Sequence, residues 1–476
     1  MKRHLLLSAV TAFSTLGALG LCGCTLEPAY QRPALPVASN WSGAAGAHAG
    51  VTPGESADTS TPAAPRAAEV DWHSFFKDPA LQKLIGLALE NNRDMRVAAL
   101  NVAQYEAQYR IARSALLPTV DAVGSVDNYR EAGVTDKISS VTLGETSWEI
   151  DFFGRLRSLK HQALEQYLAT DASRTSTRIS LIATVATDYF QWLADQSLLE
   201  VATQTAEADR QTYEMNVQSE RIGNASMQDV RQAESVYASV RSSLNADQRA
   251  VAQDLNNLEA VIGCPVPDGL LNSGSLDAAQ LPPLSEGLPS DLLTRRPDIV
   301  EAEHTLKGDN AKIGAARAAF FPSIQLTTAV GTSSTSLSSL FKAGTGAWTF
   351  APTVTLPIFD YGNNQAALDV AKIQAQIDVA NYEKAIQTAF KEVANALAGR
   401  ATYVDQVQAD REYVSASEHY DELAQARYRN GTDSFLVLLD AERTLYTARQ
   451  QLVNDRFAEL TNLITLYKAL GGGWQA

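Results

Sequence analysis

The chain has 476 residues, with 39 Lys plus Arg against 54 Asp plus Glu, a formal charge of −15, and a 45% apolar fraction, enough for two or three domains and a sizeable core. The acidic charge is spread without blocks, which argues against a nucleic-acid or anionic-lipid surface, because either needs a clustered basic patch. Three cysteines and six histidines leave little for a disulfide framework, a metal cage or another cofactor, and beyond residue 23 no run approaches the ~18 apolar residues of a spanning helix.

Lys2 and Arg3 precede a mostly apolar stretch from Leu5 to Leu21, the layout of a secretory signal. It ends on Leu21-Cys22-Gly23-Cys24, which resembles the bacterial lipobox, with Cys24 the better lipid acceptor because small Gly23 precedes it. An ordinary cleaved signal with incidental cysteines fits the same residues. Lipidated, Cys24 would hold several acyl chains in a leaflet at ~0.8 kcal/mol per buried methylene. Thr25 stands where an aspartate typically signals retention in the inner membrane, so the resemblance points to the outer one. These features delimit a lipoprotein signal peptide, 1–23, and a lipidated, extended N-terminal segment, 24–71, rich in Pro, Ala, Gly, Ser and Thr from residue 28.

From Trp72 the chain repeats itself. Adding 204 maps Asp94 to Asp298, Arg113 to Arg317 and Pro118 to Pro322; further on, adding 208 maps Gly154 to Gly362, Gly223 to Gly431, Glu234 to Glu442 and Gly263 to Gly471. The first copy spans 72–263 and the second 297–470, with a Pro- and Leu-rich connector at 264–296 and a tail at 471–476. One architecture is built twice.

Each copy holds very long helices. Residues 155–221 contain neither Gly nor Pro, 363–430 only Gly399, and 224–262 and 432–470 neither. At ~1.5 Å per residue such a stretch reaches ~100 Å. Apolar residues such as Val240, Leu244, Val251, Leu255 and Leu258 recur at coiled-coil seam spacing. Tight helix-to-helix tips are expected at 222–226, with Gly223, Asn224 and Ser226, and at 430–434, with Gly431, Thr432 and Asp433.

Before the long helices the period changes to two, which predicts β-hairpins within 117–152 and 321–358. Trp348, Phe350, Val354, Leu356 and Ile358 alternate with Thr349, Ala351, Thr353 and Thr355, while Ile324, Leu326 and Val330 alternate with Ser323, Gln325 and Thr327. Lipid on one face and water on the other produces this rhythm, and so does a half-buried soluble sandwich. The first copy is less regular: Val141 and Leu143 fall out of phase with Trp148, Ile150 and Phe152, as a bulge would cause. Four strands cannot close a membrane barrel, which needs ~8 or more. The barrel reading therefore requires subunits to pool their strands, since open edges are not tolerated in hydrocarbon.

At this point the residues resemble a known family, the TolC-type outer membrane factors, in the lipoprotein branch that serves multidrug pumps. Cys24-Thr-Leu-Glu-Pro-Ala-Tyr-Gln-Arg-Pro33, Trp72-His-Ser-Phe-Phe-Lys-Asp-Pro-Ala-Leu81, Trp148-Glu-Ile-Asp-Phe-Phe-Gly-Arg155 and Leu288-Pro-Ser-Asp-Leu-Leu-Thr-Arg-Arg-Pro-Asp-Ile299 carry the resemblance, which runs on to Ala469-Leu-Gly-Gly-Gly-Trp474. It implies an α+β fold: a homotrimer whose chains each give four strands to one outer-membrane β-barrel, continued by a periplasmic coiled-coil α-barrel. The connector 264–296 would belong to an equatorial domain. The implied function is a passive, non-enzymatic conduit for drugs or other toxic compounds, docked at its helical tips to a periplasmic adaptor (membrane fusion) protein and an inner-membrane RND-type transporter.

The family's periplasmic gate of an apolar residue, an aspartate and an arginine maps onto Leu436, Asp440 and Arg443. Without the family, Asp440 and Arg443 at i, i+3 read as an ordinary surface ion pair. Subtracting 208 gives Gln232 and Ser235, both uncharged, so the pair belongs to the second copy alone. Asp121, Glu149 and Asp151, placed on the lumen face, would favour cations. No phosphate loop, dinucleotide fingerprint or zinc-protease motif occurs. The competing readings are a conduit for protein secretion, against which the lipobox counts, and a pore-less periplasmic tether, which has no use for exposed Trp348 and Phe350.

Overall fold

A computed structural model describes residues 25–37, 70–271, 274–284 and 295–473. The signal peptide, Cys24, most of the 24–71 segment, residues 285–294, which include the first seven of the Leu288–Ile299 signature, and Trp474 lie outside the described residues. The elements in chain order are α1 (Trp72–Phe75), α2 (Pro79–Asn91), α3 (Arg93–Ser114), β1 (Asp121–Glu131), β2 (Val134–Glu149), α4 (Arg155–Arg221), α5 (Met227–Ile262), α6 (Pro297–Ala318), β3 (Ser323–Ser334), β4 (Gly346–Thr355), α7 (Asn363–Arg429) and α8 (Phe435–Ala469). The long helices thus begin and end within a few residues of where Gly and Pro punctuate the sequence.

The chain divides into two compact units. The first comprises Met1–Ala34, Leu100–Asp171 and Glu301–Lys384. Its centre is one antiparallel sheet in the order β1-β2-β3-β4. β1 and β2 meet through Ala132 (φ 49°) and Gly133 (φ 87°), a two-residue turn with both residues left-handed, which matches the twist of the strands. The extended segment 25–33 is strapped onto α4 and α6. Asn310 donates to the Pro28 carbonyl at 2.8 Å and Arg317 to that of Leu26 at 3.1 Å, while Arg32 grips both oxygens of Glu303 at 2.9 and 2.7 Å. Gly314 makes the approach possible, since a Cβ there would stand 2.8 Å from the Glu27 Cα.

The second unit comprises Leu35–Ala99, Ala172–Val300 and Ala385–Ala476. The duplication repeats one junction here. In the first copy Asn92 Nδ2 donates to the Val261 carbonyl at 2.7 Å, and Gly263 (φ 84°) turns against the Asn91 carbonyl, which a Cβ would approach to 2.7 Å. In the second, Arg296 donates to the Ala469 carbonyl at 3.1 Å, and Gly471 (φ 76°) turns against the Arg295 carbonyl, 2.9 Å from such a Cβ. The two offsets read from the sequence relate all four pairs. Arg296, nearly buried, also forks onto Asp298 at 3.0 and 2.6 Å and reaches Glu392 at 2.9 Å, which gives the Arg-Arg-Pro-Asp stretch a structural role.

Candidate functional site

Two places carry the functional expectations: the sheet of the first unit and the helical tip of the second. In the sheet, residues paired across strands share a face. Leu143 pairs with Val330, which pairs with Trp348; Thr328 pairs with Phe350; Ile324 pairs with Val354; and on β1 Ala122 pairs with Leu143 and Gly124 with Val141. Over these positions one face is an apolar band, and its members stand exposed on the chain: Trp348 by 78%, Phe350 by 62%, Val354 by 64%; toward the β1–β2 turn the same face carries Asn128, Arg130, Thr135 and Lys137. The other presents Ser125, Thr142, Ser323, Gln325, Thr327, Thr349, Thr353 and Asp121, with Val123, Tyr129, Val134 and Ile138 among its apolar exceptions.

The phase break in the first copy is a β-bulge. Three steps on β2, from Glu145 to Trp148, oppose two on β3, from Thr328 to Leu326. One extra residue changes the parity of the strand, so odd-numbered Val141 and Leu143 join even-numbered Trp148 on the apolar face. Ser147 absorbs the bulge at φ 67°, its N–H donating to Thr327 Oγ1 at 3.2 Å.

Several sequence expectations need correction here. β4 ends at Thr355, so Leu356 and Ile358 follow the strand, and β2 ends at Glu149, so Phe152 does too. Asp151 is not a lumen-facing strand residue. Its carboxylate caps α4, accepting from the Leu156 and Arg157 N–H groups at 3.1 and 2.9 Å and from Arg157 Nε at 3.1 Å. Glu149 does lie on the polar face, but it is paired with Arg155, whose Nε donates to it at 2.8 Å. Of the three acids expected to attract cations, Asp121 alone keeps that position without such a partner.

Both tip turns of the second unit are Schellman motifs. Gly223 (φ 81°) donates to the Glu220 carbonyl and Asn224 to that of Ser219; Gly431 (φ 70°) donates to Tyr428 and Thr432 to Arg427. Ser226 and Asp229 then form a reciprocal capping box that starts α5. In the second tip Asp433 is held by Arg427 at 2.7 and 2.8 Å, and this guanidinium keeps its carboxyl below the usual range. Behind the turns Ala233, Ala424, Phe435, Leu438, Leu439 and Ala441 form a buried core, with Tyr213 and Tyr428 against it.

Leu436, Asp440 and Arg443 lie on the opposite, exposed face of α8 at i, i+4, i+7; Leu436 is 65% exposed. Asp440 Oδ2 accepts from the Tyr420 hydroxyl at 3.3 Å. Within the chain no ion pair joins Asp440 to Arg443 among the described residues, so the i, i+3 surface pair is not made. Arg443 instead faces Asp209 of α4, whose carboxyl burial pushes up and the guanidinium only partly pulls back.

Sequence reasoning missed the polar residues inside this bundle: Asp209, Asp421 and Glu442 are buried, as are Thr212 and Asn216. A signal existed. Asp209, Thr212 and Asn216 recur at three and four, the spacing of a helix seam, where apolar residues are expected.

A four-stranded, one-sidedly apolar sheet on a duplicated long-helix scaffold is the fold of outer-membrane channels. Residues 84–264 and 288–472 match the family model described as "Outer membrane efflux protein", and the chain belongs to this family. It is 48% identical to the toluene efflux pump outer membrane protein TtgC of Pseudomonas putida, over 100% of this chain and 96% of that one. It is 40% identical to the cation efflux system protein CusC of Escherichia coli, over 96% and 97%. Among solved structures, the open state of the Neisseria gonorrhoeae MtrE outer membrane channel superposes with a TM-score of 0.84 at 40% identity, covering 95% of this chain and 99% of that one.

Proposed function

We propose that the chain is the outer-membrane channel of a tripartite efflux system, carrying drugs or other toxic small molecules passively from a periplasmic adaptor and an inner-membrane RND-type transporter to the exterior. The sheet carries this reading. Its apolar band lies on strands of 10 to 16 residues, long enough for the ~9–11 residues that a tilted membrane strand requires. β1 and β4 are its edges. Unpaired backbone is not tolerated in hydrocarbon, so three copies supply a closed barrel, and the polar face lines a water-filled passage. Relatives named as the outer membrane proteins of toluene and cation efflux systems support the substrate class.

Cys24 carries the lipid that fixes the chain to the outer membrane, and the strapped residues 25–33 carry that anchorage onto α4 and α6. The tips at Gly223, Asn224, Ser226, Gly431, Thr432 and Asp433 are the docking surface for the adaptor. Leu436, Asp440 and Arg443 form the periplasmic gate, with Asp440 and Arg443 free of each other within one chain and so available to neighbouring subunits. Detergent-purified protein should have the mass of a trimer and conduct ions across a planar bilayer, and Asp440→Ala with Arg443→Ala should raise the conductance. A monomer without conductance would overturn the channel, and an unchanged double variant would overturn the gate. Cys24→Ala should abolish labelling with radioactive palmitate.

A further inference from the structure

Three carboxyls from three helices meet behind the gate face. Asp209 of α4 is 3% exposed, and Asp421 of α7 and Glu442 of α8 are each 9% exposed. Asp209 Oδ2 and Asp421 Oδ1 are buried without a hydrogen-bond partner, the other Asp421 oxygen accepts from Gln425 Nε2 at 2.9 Å, and Glu442 has the Thr212 hydroxyl at 3.0 Å. A buried, unpaired carboxylate is costly, and a group so placed ordinarily takes a proton instead. A metal ion does not offer the alternative, because no three such groups among the described residues are placed to hold one.

Positive charge lies near the cluster but does not offset its burial. Arg443 of α8 faces Asp209, Arg449 of α8 faces Asp421 but is bonded to Glu418 at 2.7 Å, and Arg429 of α7 lines the cavity beside Glu442 while donating to Gln425 at 3.3 Å. Further acids and phenols crowd the same space: Glu422 beside Asp421, Tyr428 of α7 beside Glu442, and Tyr446 of α8 beside Asp209. From α5, Asp229 faces Tyr428 and Asp247 faces Tyr446. Burial pushes Glu442 up to about 7, with Asp209 and Asp421 adding to it, and burial pushes Asp209 up to about 6 against the pull of Arg443. Glu442 lines a cavity of about 90 Å³ together with Thr212, Met215, Tyr428, Arg429 and Leu438.

We propose that Asp209, Asp421 and Glu442 form a proton-operated clasp: protonated, they let α8 pack against α4 and α7, and on ionisation their mutual repulsion pushes the three helices apart and loosens the tip. The sign follows from the raised values. Relative to a carboxyl near 4 in the unfolded chain, the clasped state holds extra protons, so its stability is full at about pH 4 and declines as pH rises through 6 to 7. Acid conditions therefore close the tip and neutral conditions release it. The effect on conductance rests on the gate reading above; the tightening of α8 does not.

Hydrogen exchange of residues 435–445 in the full-length protein in detergent, corrected for intrinsic rates, separates the two. Protection should fall about tenfold for each unit of pKa shift removed as pH rises from 5 to 8. Asp209→Asn and Glu442→Gln, made singly and together, should flatten that slope, and open probability in a bilayer should lose its rise with pH in the Asp209→Asn channel. Either single variant suffices should the double one fail to fold. Variants that keep the parent's pH slope of exchange overturn the clasp. A flattened exchange slope with a conductance indifferent to Asp440→Ala and Arg443→Ala upholds the clasp and rejects the gate.

Discussion

Arg296 and Asn92 occupy one position of the duplicated junction, and they make the same bond with different chemistry. Arg296 is nearly buried and pairs with Asp298 and Glu392 as well as the Ala469 carbonyl; Asn92 donates to Val261 and caps α3 by accepting from the Met95 N–H at 2.8 Å. Arg296 is buried, but Asp298 and Glu392 are 38% and 40% exposed, so truncation leaves them solvated and costs about 2 kcal/mol in lost charge-assisted bonds and packing, whereas each neutral bond lost at Asn92 costs about 1 kcal/mol. Arg296→Ala, which also empties a buried site, should therefore lower the denaturant midpoint more than Asn92→Ala. Arg296→Lys should fall between them, since an ammonium cannot reproduce the fork. Residue roles of this kind were only partly legible. The glycines of the tips and junctions were visible as punctuation, and the i, i+4, i+7 spacing of Leu436, Asp440 and Arg443 follows from their numbers. Asp151 was misplaced because its alternation with Trp148 and Ile150 imitates a strand, while its actual partners are the backbone N–H groups of the following helix.

At the scale of elements the strands depend on parity. A period of two means that a single inserted or deleted residue turns every later side chain to the other face, and β2 uses one such step by design at Ser147. Deleting Ser147 should send Val141 and Leu143 to the polar face and Thr142 to the apolar one. The deletion variant should then fail to reach the outer membrane as a trimer, with heat-modifiable migration on gels lost. Ser147→Gly, which frees the φ of 67° without altering the count, should assemble normally. The second hairpin was legible strand by strand, because no bulge interrupts the pairing of β3 with β4. In the first hairpin the alternation failed at Val141 and Leu143, which located the irregularity, but only the pairing with β3 shows that the two halves of β2 reunite on one face.

Across the whole molecule the acidic composition has a definite place. Beside the clasp, carboxyls face carboxyls between helices: Asp195 of α4 and Asp254 of α5, Asp309 of α6 and Asp378 of α7, Asp410 of α7 and Asp455 of α8. Asp254, Asp378 and Asp410 each have a buried oxygen without a donor, which a shared proton supplies. Burial and then the facing acid push Asp254 to about 7 and Asp378 to about 6 and raise Asp410. In Glu303 the balance is opposite: the bonds from Arg32 and Lys307 outweigh burial and lower its carboxyl. Raised acids lose their contribution as pH rises from about 4 to 7, and lowered ones lose theirs below about 4. Thermal unfolding followed by circular dichroism should thus show higher stability at pH 5 than at pH 8, with Asp254→Asn and Asp378→Asn reducing the difference. None of these pairs was visible in the sequence, since they join helices that the repeat identifies but does not register against one another.

The junction also bears on recombination. Each copy returns its last helix to its own first, through Val261 to Asn92 and Ala469 to Arg296, so each copy keeps its closing bond within itself. Chimaeras between relatives have a natural crossover within residues 264–294 of the connector, ahead of Arg295 and Arg296, where neither bond is cut. A crossover in α4 beyond Asp195, or in α7 before Asp378 or beyond Asp410, would instead draw the two acids of a facing pair from different parents.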